Sequence, residues 1–204
     1  MKYSLEYFSL HYLNMWLRHD RFYHESINNG TRKEKLVSIK KAATYYKVAR
    51  NLPKEYDEDI GYERYEPIVK ILDKAIASDF SGDTVKSISK VQDKISRAYG
   101  HRCVLSVTTK LLWLKIRDPI IIYDSQARKA LNTEDGDLSG FCEAWRDEYS
   151  RHDKTIVSVC GGLHRVAKYS CDQSIATPKY VQEVSAQPWF KERVFDVYLW
   201  HKGQ

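Results

Sequence analysis

The chain predicts an all-α protein, and three observations carry that prediction. Apolar residues recur at helical spacing from Leu5 to Trp200. Pro67, Pro178 and Pro188 stand where prolines open helices, and Thr31, Asp83 and Asp124 stand where short polar side chains cap them. Only Ile120–Ile122, β-branched and preceded by Pro119, reads as extended. More than half of the residues should therefore be helical, with at most a minor sheet.

Taken in order, Leu5, Phe8, Tyr12, Met15 and Trp16 mark the buried face of a first helix. After Asn28-Asn29-Gly30, Thr31 opens a second with Leu36, Ile39, Ala43 and Tyr46 inward. Its other face carries Arg32, Lys33, Lys35, Lys40, Lys41, Lys47 and Arg50, a run that is usually a solvated face and can also meet phosphates. Asn51–Tyr62 reads as an acidic, irregular loop. Pro67 opens a third helix over Ile68, Ile71, Leu72 and Ala75. Asp83 opens a fourth over Val85, Ile88, Val91 and Ile95, which stops at Tyr99-Gly100-His101-Arg102. Helix resumes from about Leu105 to Ile116, so a short turn joins two helices. Leu138–Tyr149 and Lys154–Tyr169 read as two further helices, with a bend or close packing expected at Gly161-Gly162. Pro178 and Pro188 open the last two.

At 204 residues the chain fits one domain, with possible lobes at 1–82 plus the C-terminal helices and at 83–135. A net charge of +6 favours polyanions without proving that any is bound. The 15 tyrosines and five tryptophans serve either a helical core or stacking on bases, and most are assigned to the core. The four cysteines show no CxxC or CxxH spacing, which leaves neither a zinc site nor a disulfide framework, and no cofactor motif is present. The opening Met1-Lys2-Tyr3-Ser4-Leu5 has no basic-then-apolar leader and no apolar run reaches spanning length, so the expectation is a cytoplasmic protein away from membranes.

The chemistry centres on one carboxylate. Asp124 follows the apolar segment Pro119-Ile120-Ile121-Ile122-Tyr123 and precedes the periodic run Ala127, Ala130, Leu131. At an N-cap the helix dipole and free N–H groups hold a carboxylate ionised. An ordinary cap is the plainer reading and a catalytic anion the sharper one. Lys110 is either a phosphate-binding or nucleophilic lysine, or a helix residue whose ammonium reaches out to water. His101 and Arg102 sit in the turn, solvated or on a phosphate. Tyr123 packs or lines a pocket, with packing favoured, and Ser125 and Gln126 complete the cap or bond a substrate.

The segment Thr108-Thr109-Lys110-Leu111-Leu112-Trp113 … Pro119-Ile-Ile-Ile-Tyr-Asp124-Ser125 resembles the helix-hairpin-helix DNA glycosylase superfamily, over roughly Val85–Leu131. A similar core, with an ending like Trp189-Phe190, Arg193-Val194, Asp196 and Leu199-Trp200, occurs in uncharacterised bacterial proteins. The resemblance implies a two-lobed helical fold with a cleft near Asp124, and double-stranded DNA with a flipped base as partner. It implies Asp124 as the catalytic carboxylate and Lys110 as a candidate beside it. It places His101, Arg102, Ser106, Thr108, Thr109 and Arg128 toward DNA, and Tyr123, Ser125 and Gln126 toward the base.

Two departures stand out. The family hairpin carries Gly-x-Gly, whereas this chain has Val104-Leu105-Ser106-Val107 and its nearest glycine at Gly100. Aligned on Asp124, the family's Schiff-base lysine falls nearer Ser106 than Lys110. A monofunctional glycosylase using water activated by Asp124 is therefore expected, with phage defence through modified bases as a biological setting. The alternatives are a non-catalytic nucleic-acid-binding helical protein and a helical regulatory module with an acidic protein partner.

Overall fold

The computed structural model describes residues 3–52 and 64–204. Helix makes up 74% of the described residues and no strand occurs among them. The acidic segment expected at Asn51–Tyr62 lies, from residue 53 onward, outside the described residues. The chain divides into two compact units, 1–21 with 123–204, and 22–122. The cuts differ from the boundaries near 82 and 135 suggested by the sequence, because the helices between residues 32 and 72 pack on those of 84–116, and the helix at 125–131 packs on the C-terminal ones.

In the second unit, helix α2 (Arg21–Asn29) leads into α3 (Arg32–Tyr45). Thr31 and Glu34 form a capping box, in which Glu34 Oε2 accepts the Thr31 N–H at 2.6 Å. Helix α4 (Glu66–Leu72) has its proline in the first turn, and α5 (Thr84–Ala98) is capped by Asp83, which accepts the Lys86 N–H at 2.9 Å. At the end of α5, Gly100 takes φ +72 and the His101 N–H bonds to Ser96 O at 2.8 Å. That is a Schellman stop, which glycine makes without Cβ strain. Helix α6 (Leu105–Ile116) then packs against α3, α4 and α5. Leu105 and every residue from Val107 to Leu114 are buried, as expected of a helix surrounded on all sides. His24 Nδ1 lies 2.8 Å from Leu114 O and Asn28 donates to Lys115 O at 3.0 Å, tying α2 to the end of α6.

The first unit gathers α1 (Leu5–Met15), α7 (Ser125–Leu131), α8 (Leu138–Gly162), α9 (Pro178–Ser185) and α10 (Pro188–Lys202). α10 packs against α1, α7, α8 and α9 and is the centre of this unit. The core is largely aromatic. Trp16 meets Trp189 at 4.6 Å, Tyr12 meets Phe190 at 4.9 Å, and Trp145 meets Phe195 edge-on at 5.1 Å. The Trp16 indole N–H also donates to Tyr180 Oη at 2.8 Å. After α1 the helix widens into a π turn over Trp16–Asp20, closed by the Arg21 N–H on Trp16 O.

Two expectations change here. The segments read as separate helices on either side of residues 150–153 form one helix, α8. Its polar middle is a solvated turn held by local bonds: Arg151 and His152 both face Glu148, and Ser150 donates to Arg146 O. At Gly161 and Gly162 no close packing occurs, since a Cβ on either would meet nothing within 4 Å. There the helix tightens into a 3-10 stretch, Leu163–Tyr169.

Four histidines lie below the usual imidazole range. Burial lowers His24, with Arg117 and Lys115 adding to the effect, and burial likewise lowers His11, His19 and His201. The unfolded chain takes these protons near pH 6.5. Their stabilising contribution is therefore complete above about pH 6.5 and is lost as pH falls through the lowered folded values. The urea midpoint should be lower at pH 5.5 than at pH 7.5. A midpoint that rises over the same interval in the acid direction would contradict this burial.

Candidate functional site

Ile120, Ile121 and Ile122 are all buried, following a turn in which the Ile120 N–H bonds to Arg117 O at 2.8 Å. The chain emerges from them at Asp124, which caps α7 in an extended conformation, φ −133 and ψ 140. Its carboxylate accepts the Gln126 N–H at 2.9 Å and is half-buried. Ser125 is exposed beside it, while Gln126 is half-buried. A Cβ on Gly203 would fall 1.9 Å from Gln126 O, so a residue without a side chain allows the end of α10 to lie against the first turn of α7.

α10 also brings a buried ionic network into this unit. Arg193, 4% exposed, places Nη1 3.0 Å from Asp196 Oδ2 and Nη2 3.8 Å from Asp20 Oδ2. Asp196 Oδ1 accepts the Trp145 indole N–H at 2.7 Å, and the guanidinium lies over the Tyr12 ring at 5.4 Å. Burial pushes the Asp196 carboxyl above its usual range, Arg193 and Trp145 oppose the rise, and the charge of Asp124 adds to it. Asp124 thus sits within electrostatic reach of a second, deeper carboxylate. Sequence reasoning missed Asp20 altogether and met Arg193 and Asp196 only as parts of a similar ending. The available signal was a charged pair at i,i+3 on a helix otherwise apolar around it.

Tyr123 and Arg128 are committed internally. The Tyr123 hydroxyl donates to Asp135 Oδ1 at 2.9 Å and accepts the Gly136 N–H at 2.8 Å, while its ring packs on Phe141 at 5.0 Å. Packing, rather than lining a base pocket, describes this side chain. Arg128 donates to Thr133 O at 2.8 Å and lies 3.5 Å from Asp135, so it braces the α7–α8 loop instead of reaching outward to DNA.

The other candidates belong to the second unit. His101 and Arg102 are exposed in the turn between α5 and α6. Ser106, Thr108 and Thr109, expected on a hairpin, lie inside α6, because helix begins at Leu105. Thr108 and Thr109 are fully buried, and Thr109 Oγ1 donates back to Leu105 O at 3.2 Å, so neither hydroxyl reaches a phosphate. Ser106 is half-buried and its Oγ accepts from Lys110 Nζ at 2.7 Å. Lys110 is 4% exposed, which sets aside both the extended-to-water reading and a surface phosphate contact. Val104 offers no side chain to cap α6, and no acid occupies the first turn. Backbone N–H groups there retain the positive end of the helix dipole.

Charge divides unevenly between the units. Residues 22–122 hold 19 of the 33 lysines and arginines against 13 of the 27 acids, so this unit carries the whole net charge of +6. Within it, Arg32 and Lys35 of the α3 basic run are taken up by Glu66 at 2.7 Å and Asp73 at 2.6 Å.

Among the described residues no group of three or more His, Cys, Asp or Glu could hold a metal ion, and no helix is long and apolar enough to cross a membrane. Burial pushes the Cys142 thiol up to about 11 and the Cys160 thiol to about 12, so neither supplies a thiolate nucleophile near neutral pH. Compared with known proteins, the chain matches no family model, no curated protein and no solved structure.

Proposed function

We propose that this protein is a DNA glycosylase-like enzyme of the helix-hairpin-helix type, which binds duplex DNA and excises a damaged or modified base. The observation that carries the reading is Asp124. It is a half-buried carboxylate fixed at the start of α7 by the Gln126 N–H and approached through three buried isoleucines. Such an anion is pre-oriented, and in a site shielded from water it stabilises positive charge developing next to it.

In the reaction, the bond between C1′ and the base nitrogen breaks, and its electron pair leaves with the base. The sugar is left cationic at C1′, opposite the Asp124 carboxylate. A water oriented by that carboxylate adds to C1′ and loses its proton to it. The base must first be extruded from the stack, at a cost of a few kcal/mol. Arg102 and His101, exposed in the turn before α6, supply phosphate contacts that hold the strand. Lys110 is buried and bonded to Ser106 Oγ, so the nucleophile of this reading is water and no Schiff base forms.

The test is base release from duplexes carrying a panel of damaged and phage-type modified bases, with wild type and Asp124→Asn compared. Borohydride trapping checks the nucleophile: only a lysine Schiff base is reduced to a stable cross-link, and with water as nucleophile none is expected. A second reading, a nucleic-acid-binding protein without catalysis, is favoured by the internal commitment of Tyr123 and Arg128. It expects DNA binding with no base release from any duplex of the panel.

A further inference from the structure

The outer face of α5 carries Lys86, Lys90, Lys94 and Arg97, all exposed, directly opposite the buried Ile88, Val91 and Ile95. With a rise of 1.5 Å per residue the four cations form a stripe about 16 Å long. The chain continues from its end into His101 and Arg102, which are exposed as well. None of the five Lys and Arg side chains makes an ion pair or a side-chain hydrogen bond among the described residues. The one acid on α5, Asp93, lies on the same face without pairing to any of them.

Lys86, Lys90 and Lys94 repeat at i,i+4, the spacing at which like charges face one another and weaken a helix. Asp93 is the one carboxylate on that face and is in contact with none of the four, in contrast to α3, where Glu66 and Asp73 take up two of the cations directly. A row of exposed, unpaired, mutually repelling cations on one rigid helix is matched by a row of fixed anions. Duplex DNA presents one charge per about 1.7 Å of its axis.

We infer that the outer stripe of α5, Lys86, Lys90, Lys94 and Arg97, is a second phosphate-contacting track. It extends the DNA contact from the α5–α6 turn along the sugar-phosphate backbone of a duplex. The inference rests on the DNA-binding reading above and adds to it a helix face to which the resemblance assigned no contact with DNA. The stripe reads no bases, because its lysines offer point charges to phosphates; it sets affinity and register.

The full-length chain is titrated against a fluorescein-labelled duplex of random sequence by anisotropy, between about 50 and 200 mM salt. Wild type is compared with the combined K86Q, K90Q, K94Q and R97Q variant and with R102Q. Glutamine has nearly the helix propensity of lysine and arginine, so α5 is kept, and circular dichroism verifies it. Each phosphate contact contributes about 0.9 to the slope of log K against log salt. The combined variant should therefore lose about 3.6 units of slope and on the order of 10³-fold or more in affinity near 0.1 M salt. R102Q should lose about one unit.

If wild type binds the duplex and the combined variant keeps the wild-type slope, the stripe is overturned while DNA binding stands. If R102Q alone loses slope, contact is confined to the turn and the stripe is likewise overturned. If wild type ignores the duplex but binds polyglutamate, and the combined variant does not, the partner is an acidic protein, and both the stripe's assignment and the DNA reading fail.

Discussion

An Asp124→Asn variant should fold as the wild type does and release base at about one hundredth of its rate or less. The two halves of that expectation have separate causes. Asparagine keeps the size of the side chain and an oxygen that can accept the Gln126 N–H, so loss of cap energy should stay within about 1 kcal/mol. Removing the negative charge also relieves the repulsion that helps raise the Asp196 carboxyl, which offsets part of that loss at neutral pH. The rate depends instead on the charge itself, since an amide dipole stabilises a sugar cation far less than a carboxylate does. A folded Asn variant that releases base at the wild-type rate would remove Asp124 from the chemistry. Outright unfolding would mark the residue as a structural cap and nothing more.

Arg193→Met should cost about 3–5 kcal/mol of stability at neutral pH, the largest effect expected of any single change in the first unit. The guanidinium is buried between Asp196 and Asp20 and also lies on the Tyr12 ring. Methionine recovers some packing and none of the charge compensation. The loss should depend on pH in a defined direction. Burial already holds the folded Asp196 carboxyl above its unfolded value of 3.8, so its ionisation costs stability as pH rises through the folded value. Without Arg193 that value rises further, enlarging the cost at neutral pH but not below both values. The deficit of the variant relative to wild type should therefore shrink as pH is lowered from 7 toward 4. Urea melts at several pH values measure it, and a deficit under about 1 kcal/mol at pH 7 would show that the guanidinium does not compensate these carboxylates.

Charge reversal at Lys110 is a poor probe of phosphate contact. The side chain is buried and bonded to Ser106, so a glutamate there would disrupt α6 before it affected DNA. Arg102, exposed in the turn, is the suitable position.

Local chemistry determined the elements, because caps and helix openings depend on a few neighbouring residues. Thr31, Asp83 and Asp124 accept the N–H groups expected of them, and α6 spans the predicted Leu105–Ile116. The polar break read at residues 150–153 failed for the same kind of reason: i,i+3 and i,i+4 pairs to Glu148 sustain a helix whose hydrophobic period lapses. Burial in α6 was partly legible. Consecutive Leu111-Leu112-Trp113-Leu114 indicates a helix enclosed on all sides, and the same logic encloses Lys110 and also Thr108 and Thr109, which the resemblance placed toward DNA.

What the sequence by itself determined is an all-helical chain with a capping carboxylate at Asp124 after an apolar approach. Tertiary structure alone decided that residues 22–82 group with α5 and α6 and not with the C-terminal helices, that Asp20 meets Arg193 and Asp196, and that Arg128 and Tyr123 turn to Asp135. The physical reason is range. Helix period and capping are settled within about four residues. The pairing of buried charges is settled by which helices pack together, and in this chain those helices are separated by the whole of residues 22–122.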